Sequence, residues 1–546
     1  MTFPGYSLPG LTDYMIANGP ETLYRACRDM LGKAAWLRLS SRESKAVVSR
    51  TLSTVLSPNK DGSIPPFLQD LARLEEVHAS VEESKGSLPR EVELPSVNPT
   101  LRILELSWSN LTSFLHRHLK FSDIHPSQKA ERVILWYHAL SGRVMARPAT
   151  DEDLLVLKMV VEGIAPEAVA AQGGLPVGAV DNALYRAGAS GLLLMPRSRL
   201  RRDPEFFRSQ NSIPELYLTS PSFTLQWHIT QACDLHCKHC YDRSTRTPIT
   251  FSSAVRILDE LRLFCNSRHV IGAVSFTGGN PLLHPEFSEI YRAAAERGFA
   301  LAILGNPAPR ERIAELIEIH MPSFYQVSLE GLRDHNDAIR GHGHFDRVMM
   351  FLDVLRELGV SSMVMLTLTS ENIGQVLTLA EVLRDKADVF HFSRLSKVGE
   401  GANLKLPDVR TYRAFLESYL DAACNNPVMG IKDNLINIIR RDRRNAPFGG
   451  CTGYGCGAAF NFITLLADGE VHACRKFPSP IGNIHRQGIA NIYDSEQAQH
   501  YRLGSAECRS CMVRPVCGGC LASAYSHGLN VFVSKDPFCF QLKDSN

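Results

Sequence analysis

The sequence predicts an α/β protein: a parallel sheet wound into a partial (β/α)6 barrel, with a cysteine-rich C-terminal domain. Ahead of the barrel it predicts an N-terminal helical region and a small winged-helix-like α+β domain. Three observations carry this. Six apolar runs alternate with amphipathic stretches between 215 and 400, the pattern of strand–helix units in a parallel sheet. Eleven of the 14 cysteines fall in two groups, three at 233–240 and eight at 451–539. The N-terminal half changes period once, near Pro95 and Pro99.

Residues 1–97 read as helical. Leu23, Ala26, Leu31, Ala34 and Leu37 recur at helical spacing, and 66–84 is charged and amphipathic. A packing or docking role is expected there, with no chemistry. Residues 98–204 form the next module. Its LRILELSW (101–108) is a strand, and 131–148 is a hairpin turning at Ser141-Gly142. Three short helical patterns follow: Leu154 to Val161, a segment opened by Pro166, and Val177 to Tyr185. RSRLRRD (197–203) reads as a solvated linker, since no aromatic residue interleaves it. The barrel then occupies 215–410, with strands TLQWHIT, AVSFTGG, FALAILG, FYQVSLEG, SMVMLTLT and DVFHFSRL. A helical bridge (411–445) and the cysteine-rich tail (446–546) complete the chain.

Composition narrows the function classes. Of 546 residues, 44% are hydrophobic and 21% charged, as in a globular protein with real cores. Lys+Arg 59 against Asp+Glu 57 leaves +2, so no global field draws in nucleic acid or an anionic membrane. No apolar run approaches the roughly 20 residues that span a bilayer, and the first residues lack the basic and apolar regions of a signal peptide. A cytoplasmic protein is expected. In that reducing compartment clustered thiols serve metals or catalysis more often than disulfides.

In a parallel barrel, chemistry gathers on loops at the C-terminal ends of strands, where the motifs fall. CDLHCKHCY places Cys233, Cys237 and Cys240 on one loop, followed by Tyr241. Three thiolates can bind three irons of a cubane 4Fe–4S cluster and leave the fourth open. A structural zinc wants four ligands, for which His236 or His239 would be needed. The C-x3-C-x2-C spacing resembles the signature of the radical S-adenosylmethionine (SAM) superfamily. That resemblance implies a SAM-chelating cluster whose electron cleaves SAM to a 5′-deoxyadenosyl radical. It implies Tyr241 against the adenine, and Gly278 and Gly279 of FTGGNP (276–281) in close approach to SAM. Asn280 stands where the family usually has Glu, so its contact to the methionyl ammonium lacks a full charge. Ser328 of SLEG and Arg340 of IRGHG would supply polar and carboxylate contacts.

The tail runs Cys451-x4-Cys456-x12-Gly469-x4-Cys474, then Cys508-x2-Cys511-x5-Cys517-x2-Cys520, then Cys539. This resembles the SPASM extension of radical SAM enzymes, with the last central gap one residue short. The resemblance implies two auxiliary 4Fe–4S clusters, three in all. Cys451, Cys456, Cys474 and Cys520 would hold the first, and Cys508, Cys511, Cys517 and Cys539 the second. Two zinc ribbons are the alternative for the tail alone. Cys27, Cys265 and Cys424 need no function; buried free cysteines behave as small hydrophobes.

The module at 98–204 resembles the recognition element of ribosomal peptide-modifying systems, in which a leader peptide adds a strand to an exposed sheet edge. The whole is similar to radical SAM/SPASM peptide maturases, including those of selenobiotic-type peptides. The implied activity is hydrogen abstraction followed by thioether or other cross-link formation on a precursor peptide. A flavodoxin or ferredoxin would donate electrons; no nucleic acid and no membrane are expected as partners. A sulfatase-maturase-like oxidation of a protein Cys or Ser, a non-catalytic iron–sulfur scaffold and a zinc-dependent nucleic-acid binder are the alternatives. No catalytic acid, base or thiol is identified; Asn306 and Arg394, near strand ends, are placed either to face the cavity or to brace the barrel.

Overall fold

The computed structural model describes residues 23–42, 53, 64–115, 120–207 and 213–541. The chain divides between Arg197 and Ser198 into two compact units.

In the first unit a short strand β1 (Ser96–Val97) precedes an antiparallel sheet of β2 (Arg102–Leu106), β3 (Glu131–His138) and β4 (Arg143–Pro148), in the order β2-β3-β4. The β3–β4 turn places Gly142 in the left-handed region, φ 65°, which a residue without Cβ adopts at no steric cost. Three helices follow, at Asp151–Glu162, Pro166–Gly173 and Val177–Ala189, and β5 (Leu193–Leu194) pairs antiparallel with β1. The first helix starts in a capping box between Thr150 and Asp153 and ends at Gly163, in the left-handed conformation. Strands and helices thus follow the expected order.

Alternation along β3 shows how this unit is built. Side chains point to opposite faces at successive positions. Val133 and Leu135 join a core with the helix Leu68–Glu83 and Trp36, while Ile134 and Trp136 join one with Val156, Leu157, Ala183 and Ala187. The helix Leu68–Glu83 therefore shares a core with the sheet, and the break read at 97 falls within one compact unit.

The second unit holds a nine-stranded sheet. Six strands are parallel and lie side by side in chain order: β6 (Ser222–Thr230), β7 (Ile271–Gly278), β8 (Ala300–Leu304), β9 (Phe324–Ser328), β10 (Ser362–Leu368) and β11 (Val389–Arg394). Helices fall between them, as in the stretch Phe251–Arg268, whose Thr250 hydroxyl caps the Ser253 N–H. The tail adds three strands beyond the barrel. β12 (Phe462–Leu465) pairs parallel with β6, and β13 (Glu470–His472) and β14 (Pro480–Asn483) continue antiparallel. The cysteine-rich tail is thus built onto the sheet edge left open by the partial barrel.

The linker reading of 197–203 requires correction. Leu200 is fully buried, and Arg202 is 8% exposed with its guanidinium 4.1 Å over the Phe460 ring. Arg202 donates to the carbonyls of Tyr454 and Cys456 at 2.9 and 2.6 Å. The absence of aromatic neighbours in sequence hid an aromatic partner far along the chain. Among the described residues, no helix is long and apolar enough to cross a membrane.

Candidate active site and auxiliary cysteine sites

A cavity of about 460 Å³ opens at the C-terminal ends of the parallel strands, and Cys233, Cys237 and Cys240 all line it. Gly278 and Gly279 reach it from β7, Asn306 from the end of β8, Ser328 from β9 and Arg394 from β11. Tyr241 and Arg340 join them, as do Arg475 and Lys476, which follow Cys474 in the tail. Sequence reasoning placed most of this set but missed Arg475 and Lys476, although their position beside a motif cysteine was a usable signal.

The two glycines act first on the cysteine loop. A Cβ at Gly278 would fall on the Thr230 carbonyl oxygen, and one at Gly279 on that of Ala232. In their place backbone bonds form: Gly279 N–H to Thr230 at 2.9 Å and Asn280 N–H to Ala232 at 2.7 Å. The end of β7 and the loop carrying the cysteines are laced together at a distance only glycine permits.

Asn280 is buried. Its amide donates to Asp234 at 3.1 Å and its carbonyl accepts from the Leu282 N–H at 3.3 Å. Asn306 donates to the same Asp234 oxygen at 2.6 Å and lies 3.7 Å from the Cys233 sulfur. Asp234 was not singled out in the sequence. Two amides anchoring one carboxylate fix the loop between the first two cysteines.

Tyr241 packs its hydroxyl 3.0 Å from His228 Nε2. Burial, with Arg475 nearby, lowers the His228 imidazole to about 3, so the ring is neutral near pH 7. Burial also pushes the Tyr241 phenol up. Arg340 donates two bonds to one oxygen of the buried Glu330, at 2.9 and 2.6 Å, and its Nη1 lies 3.7 Å from the Cys237 sulfur. Burial opposes ionisation of Glu330, but His239, Arg340 and the Thr367 N–H outweigh it and hold the carboxyl below its usual range. His239 is engaged there, with Nε2 3.3 Å from Glu330. Glu330 lies within SLEG, yet nothing in the sequence marked it as the partner of Arg340.

Arg394 faces the cavity, and its bracing partners lie outside the barrel. Its guanidinium is braced by Asp433 at 2.9 Å and Asp536 at 2.7 Å. The Cys520 N–H donates to Asp536 at 2.9 Å, so this ion network ties the barrel to the tail.

A second, smaller cavity of about 70 Å³ is ringed by Cys451, Cys456, Cys474 and Cys520, together with Lys432 and Lys476. Burial pushes the Cys456 thiol up to about 12 and Cys474 to about 11, with the other thiols of this foursome adding to the rise. Cys508, Cys511, Cys517 and Cys539 form the other neighbourhood. Burial raises Cys508, Cys517 and Cys539, and thiols of the same four reinforce each shift. All 14 cysteines are free. Among the described residues no three Cys, His, Asp or Glu side chains converge on a single-ion site; three thiols of the barrel loop and four of the tail line cavities instead. Three thiols facing one cavity and two sets of four suit thiolate-bound iron–sulfur groups. The glycine contacts and Arg340 leave the first cavity open for a ligand beside its thiols.

Residues 227–383 match the radical SAM superfamily, and residues 456–512 match SPASM, an iron–sulfur cluster-binding domain. Among known proteins, the AdoMet-dependent heme synthase of Methanosarcina barkeri is 24% identical over 59% of this chain and 97% of its own. The antilisterial bacteriocin subtilosin biosynthesis protein AlbA of Bacillus subtilis is 26% identical over 56% of this chain and 67% of its own. The mycofactocin maturase MftC of Mycolicibacterium smegmatis is 28% identical over 58% and 82%. Among solved structures, Streptococcus suis SuiB bound to S-adenosylmethionine covers 75% of this chain and 97% of its own, at 16% identity and a TM-score of 0.47. The chain thus carries a radical SAM domain over residues 227–383, followed by a SPASM iron–sulfur cluster-binding domain over residues 456–512.

Proposed function

We propose that this enzyme cleaves SAM reductively and uses the radical to modify a ribosomally made precursor peptide. The observation that carries the first half is the cavity at the strand ends, which gathers three thiols of one loop with the glycines, Ser328 and Arg340. Both domains imply SAM and iron–sulfur clusters; we assign three clusters, one on Cys233, Cys237 and Cys240. The others fall to Cys451, Cys456, Cys474 and Cys520, and to Cys508, Cys511, Cys517 and Cys539. When bound, the first cluster supplies the electron that cleaves SAM to methionine and a 5′-deoxyadenosyl radical, which abstracts hydrogen from substrate.

The protein's own share is orientation and exclusion of water. Tyr241 walls the adenine side, held by neutral His228. Gly278 and Gly279 keep the cysteine loop against β7. Ser328 and the Nη1 side of the Arg340 guanidinium, beside Cys237, face the ligand's polar end, and Asn280 acts through Asp234. Reducing conditions such as the cytoplasm keep the thiols free to bind iron, with a flavodoxin or ferredoxin as electron donor.

The peptide half rests on two supports. Of the relatives described, AlbA is named for the biosynthesis of a bacteriocin, subtilosin, and MftC is named a maturase. The first unit carries a sheet whose strand β4 pairs on one side only, an edge to which a leader can add a strand. We assign leader binding to residues 98–204. Tethering such a module to the catalyst raises the effective concentration of the peptide core. Thioether or another cross-link is the product we assign. The heme synthase relative makes a small-molecule substrate the competing reading, which the N-terminal sheet disfavours.

Anaerobic reconstitution with iron and sulfide, then SAM and dithionite, should release 5′-deoxyadenosine, and the Cys233→Ala, Cys237→Ala, Cys240→Ala triple variant should release none. Co-expression with any short Cys-rich peptide encoded beside the gene should shift that peptide's mass. Persistent 5′-deoxyadenosine in the triple variant would sink the assignment of the site; an unshifted peptide would sink that of the substrate.

A further inference from the structure

The three cysteine sites differ in the charge built around them. Beside Cys237 the buried guanidinium of Arg340 is neutralised by Glu330 at 2.6 Å. The tail sites have cations without such a partner. Lys432, partly buried, faces the cavity ringed by Cys451, Cys456, Cys474 and Cys520. The charged groups felt at Lys432 are the Cys451 and Cys474 thiols and the cations Arg475 and Lys476. The neighbouring Asp433 is already engaged by Arg394 and by the Tyr412 hydroxyl. Arg202, from the other side, spends its donors on carbonyls, one of them that of Cys456.

The second foursome has a cation beside one of its members. Arg514 is 7% exposed and shares a cavity of about 240 Å³ with Cys508, and with Cys456 of the first foursome. Its Nη2 donates to the Leu503 carbonyl, while its Nη1 is buried with no hydrogen-bond partner. The charged groups felt there are Cys508, Cys511 and the cation Arg509. A cation buried without a counter-charge is unfavourable, so buried Arg514, and partly buried Lys432 facing its ring of thiols, favour a negative occupant. A cluster held by four thiolates is one.

We infer that Lys432 and Arg514 are the counter-charges of the two auxiliary iron–sulfur groups, and that they raise the reduction potential of both. The inference rests on the ligand sets assigned above. Reduction adds one electron and one negative charge to a group, and a fixed cation nearby stabilises that state. The electron enters without breaking a bond, and the Lys432 and Arg514 protons stay in place. It comes from dithionite in a titration and from a substrate-derived radical in turnover. Lys432 and Arg514 are therefore positioning residues that act through the groups beside them.

The test is an EPR-monitored redox titration of the full, anaerobically reconstituted chain in the Cys233→Ala, Cys237→Ala, Cys240→Ala background, where only the auxiliary signals remain. Lys432→Met should lower the reduced-to-oxidised ratio of one signal about tenfold at a fixed potential, a midpoint shift of about 59 mV. Arg514→Met should do the same to the other signal. Lys432→Arg and Arg514→Lys, which keep the charge, should leave both in place. Unmoved midpoints in the methionine variants overturn the inference, as does an equal fall in the charge-keeping variants. Iron lost from a methionine variant but held by its charge-keeping counterpart supports the counter-charge role; iron lost from both counts against it. If the parent triple variant binds no iron, the assigned ligand sets fail instead.

Discussion

Gly279 shows how much one hydrogen atom in place of a side chain can decide. The residue carries no chemistry, yet its Cα lies where any Cβ would collide with the Ala232 carbonyl, and backbone cannot swing aside as a flexible side chain can. Gly279→Ala should therefore push the loop bearing Cys233 off the end of β7. We expect iron bound by that loop to be lost while the iron held by the tail remains. Iron and sulfide counts, compared with those of the Cys233→Ala, Cys237→Ala, Cys240→Ala variant, would check this. A fully loaded Gly279→Ala protein would show that the contact is compliant. At this scale the sequence was informative about type and poor about partner. The motif marked Gly278, Gly279 and Asn280. That the glycines meet backbone, and that Asn280 meets Asp234, depends on distances across two loops that spacing does not encode.

Between elements, the decisive joint is the one that seats the tail on the barrel. β12 completes the open side of the sheet beside β6, and Arg394 at the end of β11 is clamped by Asp433 and Asp536. All three charged side chains are buried. Removing the cation leaves two carboxylates in a low-dielectric interior, which typically costs about 3–5 kcal/mol. Arg394→Met should lower the unfolding free energy from denaturant titration by an amount of that order, and hydrogen exchange should locate the earliest opening in residues around 433 and 520–540. Uniform loss of protection across the parallel strands would instead assign Arg394 to the barrel core. The six parallel strands were legible because both faces of each are covered, so their apolar runs are long. β12 to β14 were not: four residues or fewer, they take their stability from the edge they join.

Over the whole molecule, two units with separate cores should give two unfolding transitions, and the buried titratable groups should move these apart with pH. In the first unit burial raises Glu75 to about 7, and raises Glu76 as well. A carboxyl with a raised folded pKa binds more protons folded than unfolded, so stability falls as pH rises from about 4.5 to 7. One lowered imidazole, His78, opposes this. In the second unit burial lowers His228 to about 3, and His344 and His391 to about 4. Here the unfolded chain binds more protons below pH 6.5, so stability is lost as pH falls from about 6.5 toward 4. Calorimetry between pH 5 and 7 should show one transition falling and the other rising as pH increases. A single transition, or two moving together, would contradict the division.

What the sequence alone determined was local and periodic. The strand–helix alternation, the hairpin at Ser141-Gly142, the grouping of eleven cysteines and the glycines beside the first three all follow from spacing, because backbone geometry repeats over a few residues. Only the tertiary structure decided which charges meet. Arg202 passed for a solvated residue and proved to be buried against Cys456; Arg340 proved to be neutralised by Glu330, and Lys432 to stand without a carboxylate partner among the described residues. Burial and ion pairing join residues up to hundreds of positions apart, and the cost of an unpaired buried charge exists only once the chain has closed around it.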